Sequence, residues 1–222
     1  MEIKGILFDL DGVITDTASL HYESWAQTVK KLGIDYTEAE NENLRGLPRP
    51  ETLKAIVALK KPDLELTKEL SDQLCKEKND LYVQLLKQKI DPSYILPNIK
   101  EFILDCKQAG IKLSIASSSY NAPFILEKLG LIDYFDAIVY PGDVKKGKPD
   151  PEIFEKAAQL IDVPKENCIG LEDAIAGVQA IKGANIKSVA FDYNSDVDFS
   201  LSDLVLHTTA DLTLQKLKDF FK

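Results

Sequence analysis

Residues 3–12 read IKGILFDLDG, a short apolar run closed by two aspartates and a glycine. The run has the length of one buried strand, and its polar end marks where the chain leaves a sheet. Runs of the same kind recur as KLSIASSS (112–119), AIVYP (137–141), NCIGLED (167–173), SVAFD (188–192) and LVLHT (204–208). Helical patterns stand between them. Residues 98–109 stop at Gly110, and residues 121–129 open on Asn121 as a candidate cap and stop at Gly130. Residues 151–161 start on Pro151 after Asp150, and residues 174–183 read AIAGVQAIKG. Glycine suits the left-handed position that ends a helix, and proline suits a first turn. Strands alternating with helices of this length predict an α/β fold, a Rossmann-like, doubly wound parallel sheet.

One stretch breaks the alternation. From about Ala18 to Lys89 no strand signal appears. Trp25, Val29 and Leu32 recur at helical spacing, as do Leu66, Leu70, Leu74, Leu81 and Leu85 with charges between them. The expectation is a four- or five-helix block over residues 17–89, inserted into an α/β core made of residues 1–16 and 90–222. Such a block can bury a small core of its own.

Composition narrows the function classes. The chain has 222 residues, 45% of them hydrophobic and 28% charged, which suits a packed globular protein. No apolar run approaches the ~20 residues that span a bilayer. The first residues lack the basic start, long apolar stretch and small-residue site of a secretory signal, so a cytoplasmic protein is expected. A net charge of −9 argues against broad binding to nucleic acid or to an anionic membrane surface. It leaves room for a small anionic substrate held by a few local cations. A monomer is expected. Cys75, Cys106 and Cys168 are odd in number and scattered, without a C-x-x-C, so neither a disulfide framework nor a zinc site is indicated.

In an open parallel sheet, ligands bind beyond the carboxyl ends of the strands. The first strand ends in Asp9 and Asp11, which point the same way because alternate strand residues share a side. Two carboxylates so close repel unless a cation or a proton separates them. The run 167–173 ends in a second acidic pair, Glu172 and Asp173. The run 112–119 ends in the hydroxyls of Ser117, Ser118 and Ser119, and Lys148 follows the run 137–141. Acids, hydroxyls and one lysine at four strand ends suit Mg²⁺-assisted phosphoryl transfer, since Mg²⁺ takes a few carboxylates, waters and phosphate oxygens.

The segment ILFDLDGVITDT (6–17) resembles the first motif of the haloacid dehalogenase superfamily, and three more motifs follow in the superfamily's order: Ser117, Lys148 in KPDPEIF, and GLEDA at 170–174. The resemblance covers essentially the whole chain. HYESW (21–25), LRGLPRPETL (44–53) and SSSYNAPFIL (117–126) are most similar to the β-phosphoglucomutase family within it. That resemblance implies an α/β core of the haloacid dehalogenase type with an α-helical cap. It implies conversion of β-D-glucose 1-phosphate to glucose 6-phosphate through glucose 1,6-bisphosphate, which also serves as primer. Asp9 would be the nucleophile that forms an aspartyl phosphate, and Asp11 the general acid and base. Asp9, the backbone carbonyl of Asp11, Glu172 and Asp173 would hold Mg²⁺. Ser117 and Lys148 would hold the phosphoryl oxygens. Thr17 and His21, four apart on one helix face, would orient Asp11 as the cap closes. Arg49 would grip the phosphate that is not reacting, and Gly46 would let backbone approach the sugar. Ser118, Ser119 and Asn121 would complete substrate binding, with Asn121 equally readable as a helix cap. A sugar-phosphate phosphatase on the same scaffold is the alternative.

The chain departs from the family pattern in three places. Pro48 stands where serine is common, Tyr120 where lysine is common, and Arg45 where lysine occurs. These leave the core chemistry untouched and bear on which sugar phosphate is read. Gly142 to Lys148 spells G-x-x-x-x-G-K, but the next residue is Pro149, which has no hydroxyl for Mg²⁺, so a nucleotide-binding P-loop is not indicated.

Overall fold

A computed structural model describes residues 1–44 and 47–222. The chain forms two compact units, Met1–Asp16 with Asp91–Lys222, and Thr17–Ile90.

The first unit is a six-stranded parallel sheet. Its strands are β1 (Gly5–Phe8), β2 (Lys112–Ile115), β3 (Ala137–Ile138), β4 (Cys168–Glu172), β5 (Lys187–Phe191) and β6 (Leu204–Leu206). They lie in the order β3-β2-β1-β4-β5-β6. From β1 the chain winds outward through β2 and β3 on one side, then crosses to β4, β5 and β6 on the other. The switch point is therefore beside β1, between β2 and β4, which is where open sheets of this kind bind ligands.

Helices cover both faces of that sheet, which is why β1 is buried along its whole length and reads as a continuous apolar run. Leu7 packs with Ile153, Phe154 and Ala157 of α7 (Glu152–Leu160) and Ile181 of α8 (Ile175–Gly183). Phe8 points the other way. Its ring meets Phe102 of α5 (Ile99–Gln108) edge-on with centroids 6.0 Å apart, and Phe135 at 5.5 Å. Each such fully buried side chain contributes about 1.5–3 kcal/mol. Two further helices, α6 (Ala122–Lys128) and α9 (Leu214–Phe220), complete this unit.

All six expected strands form; five are shorter than their runs, and β5 keeps five residues but starts one earlier, at Lys187. β3 keeps two residues: the Val139 N–H still bonds to the Ile115 carbonyl, and Pro141, without an N–H, stops the ladder. Gly110 and Gly130 end α5 and α6 with φ of 73° and 67°. Asn121 precedes α6 but makes no side-chain cap bond. At α7 it is Asp150 that accepts the Glu152 N–H, at 3.1 Å, while Pro151 occupies the capping position.

The second unit contains, among the described residues, the helices α1 (Ala18–Lys30), α2 (Glu38–Glu42), α3 (Arg49–Lys60) and α4 (Lys68–Lys89). It has its own core of Trp25, Val29, Ile34, Tyr36, Leu53, Ile56, Val57, Leu74 and Cys75. Thr37 opens α2 with a reciprocal capping box to Glu40, and Thr67 accepts the Leu70 N–H to open α4. Pro48 sits at the cap of α3, where an N–H is not required, and its carbonyl accepts the Thr52 N–H at 2.9 Å. Pro48 gives α3 no side-chain cap. Among the described residues, no helix is long and apolar enough to cross a membrane.

Candidate active site

Strand register assembles the site. Phe8 pairs with Ile115 of β2 and with Leu171 of β4, so the next residues, Asp9, Ala116 and Glu172, stand level across three adjacent strands. The Asp9 N–H still bonds to the Leu171 carbonyl at 3.0 Å, and the Ala116 N–H to the Phe8 carbonyl at 2.7 Å. The chain then turns sharply. The Leu10 carbonyl accepts from Ile14 N–H at 2.9 Å and Thr15 N–H at 3.2 Å, which places Asp11 and Gly12 at the tip.

Lys148 enters from the loop before α7 and is joined to Pro149 by a cis peptide. Its ammonium bonds to Asp9 Oδ1 and to Glu172 Oε1, each at 2.5 Å, and lies over the Phe154 ring. Glu172 is 1% exposed. Its Oε2 accepts the backbone N–H groups of Asp173 and Ala174, both at 2.9 Å, so both oxygens are fixed. Burial would lower the Lys148 pKa, but Asp9 and Glu172 more than offset that and hold it above its usual value. Burial pushes the Asp9 carboxyl up to about 7 against the pull of Lys148, with Glu172 and Asp11 adding to the push. A cation at Asp9 is therefore worth more than it would be at a solvated carboxylate.

Two glycines make room for the acids. A Cβ on Gly12, whose φ is 83°, would lie 1.8 Å from Asp173 Oδ2, and one on Gly177 would lie 1.8 Å from Glu172 Oε1. Neither carboxylate could stay in place beside any larger residue. The carboxylates of Asp9, Glu172 and Asp173 each offer an oxygen within 4.8 Å of the others. An all-oxygen, all-carboxylate donor set fits a hard divalent ion such as Mg²⁺ and contains none of the nitrogen or sulfur ligands that zinc favours. Asp11, expected to contribute through its carbonyl, lies one residue before Gly12 at the turn tip and is half-buried.

On the other side of β1, Ser117 is buried, and its hydroxyl accepts the Ser119 N–H at 3.1 Å. The Ser119 hydroxyl accepts the Asn121 N–H at 3.2 Å. These successive turns leave Ser118 exposed and Asn121 half-buried.

A scan against protein families matches residues 3–185 to the haloacid dehalogenase-like hydrolase model. The chain belongs to the haloacid dehalogenase-like hydrolase family. It is 40% identical to a β-phosphoglucomutase of Bacillus subtilis (strain 168) over 217 residues, which is 98% of this chain and 95% of that protein. The crystal structure of a β-phosphoglucomutase from Clostridium difficile superposes with a TM-score of 0.88 at 39% identity, covering 99% of this chain and 97% of the other. A phosphorylated carbohydrates phosphatase of Thermotoga maritima is 32% identical over 191 residues, 84% of each chain. This member of the family is thus an enzyme whose full-length relatives act on phosphorylated sugars.

Of the remaining expected residues, Thr17, His21 and Arg49 are described in the helical unit. Thr17 precedes α1, and its hydroxyl lies 2.9 Å from the Tyr82 hydroxyl of α4. The His21 ring is tilted over the Tyr82 ring with centroids 4.1 Å apart. Arg49 opens α3 and is half-buried. Gly46 and Arg45 lie outside the described residues. The sequence reading missed Lys78. It is 2% exposed, its ammonium bonds to His21 Nδ1 at 2.7 Å, and it faces the rings of Tyr82 and Trp25. An ammonium only donates, so Nδ1 accepts and the imidazole carries its proton on Nε2. The signal was available: Leu74, Lys78, Tyr82 and Leu85 share one face of α4, and a lysine within an apolar stripe needs a reason.

Proposed function

We propose that this protein is a β-phosphoglucomutase, converting β-D-glucose 1-phosphate to glucose 6-phosphate through β-glucose 1,6-bisphosphate. The observation that supports it best is the buried cluster of Asp9, Lys148 and Glu172 at the sheet's switch point, in a chain similar along its whole length to a β-phosphoglucomutase.

Asp9 acts as the nucleophile. In its phosphorylated form its acyl phosphate donates the phosphoryl group to the sugar's 6-hydroxyl, the Asp9–phosphorus bond breaking as the sugar oxygen–phosphorus bond forms. Asp11 takes the hydroxyl proton. The bisphosphate then presents its other end, Asp9 attacks the C1 phosphate, and Asp11 returns the proton to the leaving oxygen. The two aspartates thus need opposite protonation states, Asp9 ionised and Asp11 protonated, at the moment of attack. Lys148, held charged by two carboxylates, offsets the negative charge that gathers on the equatorial oxygens. Ser117 and the N–H groups after β2 hold those oxygens in line. Asp9, Asp173, Glu172 and the Asp11 carbonyl would hold Mg²⁺. That ion, when bound, supplies positive charge to the phosphoryl oxygens and keeps Asp9 ionised. Thr17 and His21 orient Asp11, and Gly46, Arg49, Ser118, Ser119 and Asn121 bind the sugar and its second phosphate. A bidentate guanidinium suits the latter role for Arg49.

Given Mg²⁺ and a trace of bisphosphate primer, β-glucose 1-phosphate is expected to yield mainly glucose 6-phosphate with little free phosphate. The α anomer should react poorly, because its phosphate leaves the ring in another direction. Coupled assays for glucose 6-phosphate and inorganic phosphate on both anomers check this. Phosphate released in step with substrate loss would make the protein a sugar phosphatase instead.

A further inference from the structure

The turn after β5 reaches back to the catalytic turn after β1. Asp192 organises it. Its Oδ1 accepts the Asn194 N–H at 2.9 Å, its carboxylate pairs with His207 Nδ1, and its carbonyl accepts the Ser195 N–H at 2.8 Å. Tyr193 and Asn194 are both left-handed there, with φ of 50° and 58°. Asparagine is at home in that region, whereas a bulky aromatic residue rarely occupies it. The conformation aims the Tyr193 phenol across the sheet end, where its hydroxyl donates to the Gly12 carbonyl at 2.6 Å. The ring lies along Phe191, with centroids 6.3 Å apart.

Gly12 is a demanding place to hold. Its N–H bonds to the Thr15 carbonyl at 2.7 Å, so with Tyr193 both of its backbone polar groups are tied. Its missing side chain is the seat of the Asp173 carboxylate, and its neighbour is Asp11. A small rotation of the Gly12 peptide would carry Asp11 off line and crowd Asp173.

We propose that Tyr193 is a positioning residue, whose hydroxyl locks the Asp11–Gly12 turn so that Asp11 stays aligned and Asp173 keeps its place in the cation cluster. The part concerning Asp11 rests on the mutase reading; the part concerning Asp173 does not.

Tyr193→Phe keeps the ring and removes the hydroxyl that bonds to the Gly12 carbonyl. With β-glucose 1-phosphate its kcat should fall about tenfold with KM nearly unchanged, as expected for one lost bond felt in the transition state. Titration calorimetry on the substrate-free protein should show Mg²⁺ binding weakened several-fold, and Tm should move by no more than a few degrees. A merely structural tyrosine would lower Tm and leave kcat and Mg²⁺ affinity alone. Wild-type Mg²⁺ affinity or wild-type kcat in the variant overturns the proposal. Because the calorimetry needs no sugar, weakened Mg²⁺ binding beside a wild type inactive on glucose phosphates would retain the role at Asp173 and discard the mutase reading.

Discussion

Asp9→Asn is expected to abolish turnover of β-glucose 1-phosphate and hydrolysis of acetyl phosphate alike. An amide is a poor nucleophile, so the covalent route closes. It is also a poor ligand for a hard cation, so the electrostatic help at the phosphoryl group weakens at the same time. The geometry adds a third effect. Asp9 Oδ1 is one of two carboxylate partners of the half-buried Lys148 ammonium, so the amide also leaves that charge with the Glu172 carboxylate alone. Steady-state assays with both substrates check this, with mass spectrometry used to exclude deamidation back to aspartate. Appreciable turnover by an intact amide would remove Asp9 from the covalent role.

Lys148→Met keeps most of the side chain's length and apolar contact with Phe154 while deleting the charge. Asp9 and Glu172 would then face each other without the cation that joins them. Removing one member of a buried ion pair costs about 3–5 kcal/mol of stability, and losing an electrostatic contact to the transition state costs about 10²–10³ in kcat. A drop in Tm together with a kcat loss of that order is expected, measured by calorimetric melting and by the coupled assay. Mg²⁺ in excess should restore part of the stability, since it supplies positive charge to the same carboxylates. A variant as stable and as active as the wild type would show that the cluster does not need Lys148.

The sheet was readable from sequence because buried parallel strands are continuous apolar runs, and the polar residue that closes each run stands at the sheet's carboxyl end, where open sheets of this kind bind ligands. Asp9, Ser117, Glu172 and Asp173 stand out as candidates for that reason. Strand lengths were not readable, because pairing ends where a neighbour ends: β3 stops at two residues on account of Pro141. Gly177 looked like an ordinary helix residue in AIAGVQAIKG. Its purpose, leaving space for the Glu172 carboxylate, exists only once α8 packs behind β4. Tyr193 bonds to a residue 181 positions away, and no local pattern carries such a distance. Lys78 was in principle visible on its apolar stripe, but its partner His21 sits on another helix. Asn121 shows the reverse case, a local cap signal at a helix start where the side chain makes no cap bond.

In a mutase of this kind the phosphoryl group passes through Asp9. The most direct measurement is to incubate the protein with Mg²⁺ and acetyl phosphate, quench in acid and map the modified peptide by mass spectrometry. A single phosphoryl group is predicted on Asp9; when it carries an isotopic label, that label should leave the protein and appear on the sugar's 6-oxygen once β-glucose 1-phosphate is added before the quench, while the C1 phosphate refills Asp9 unlabelled. A phosphoryl group on Ser117 or on any other residue, or product formed with no covalent phosphoryl enzyme at all, would remove Asp9 as the phosphoryl carrier.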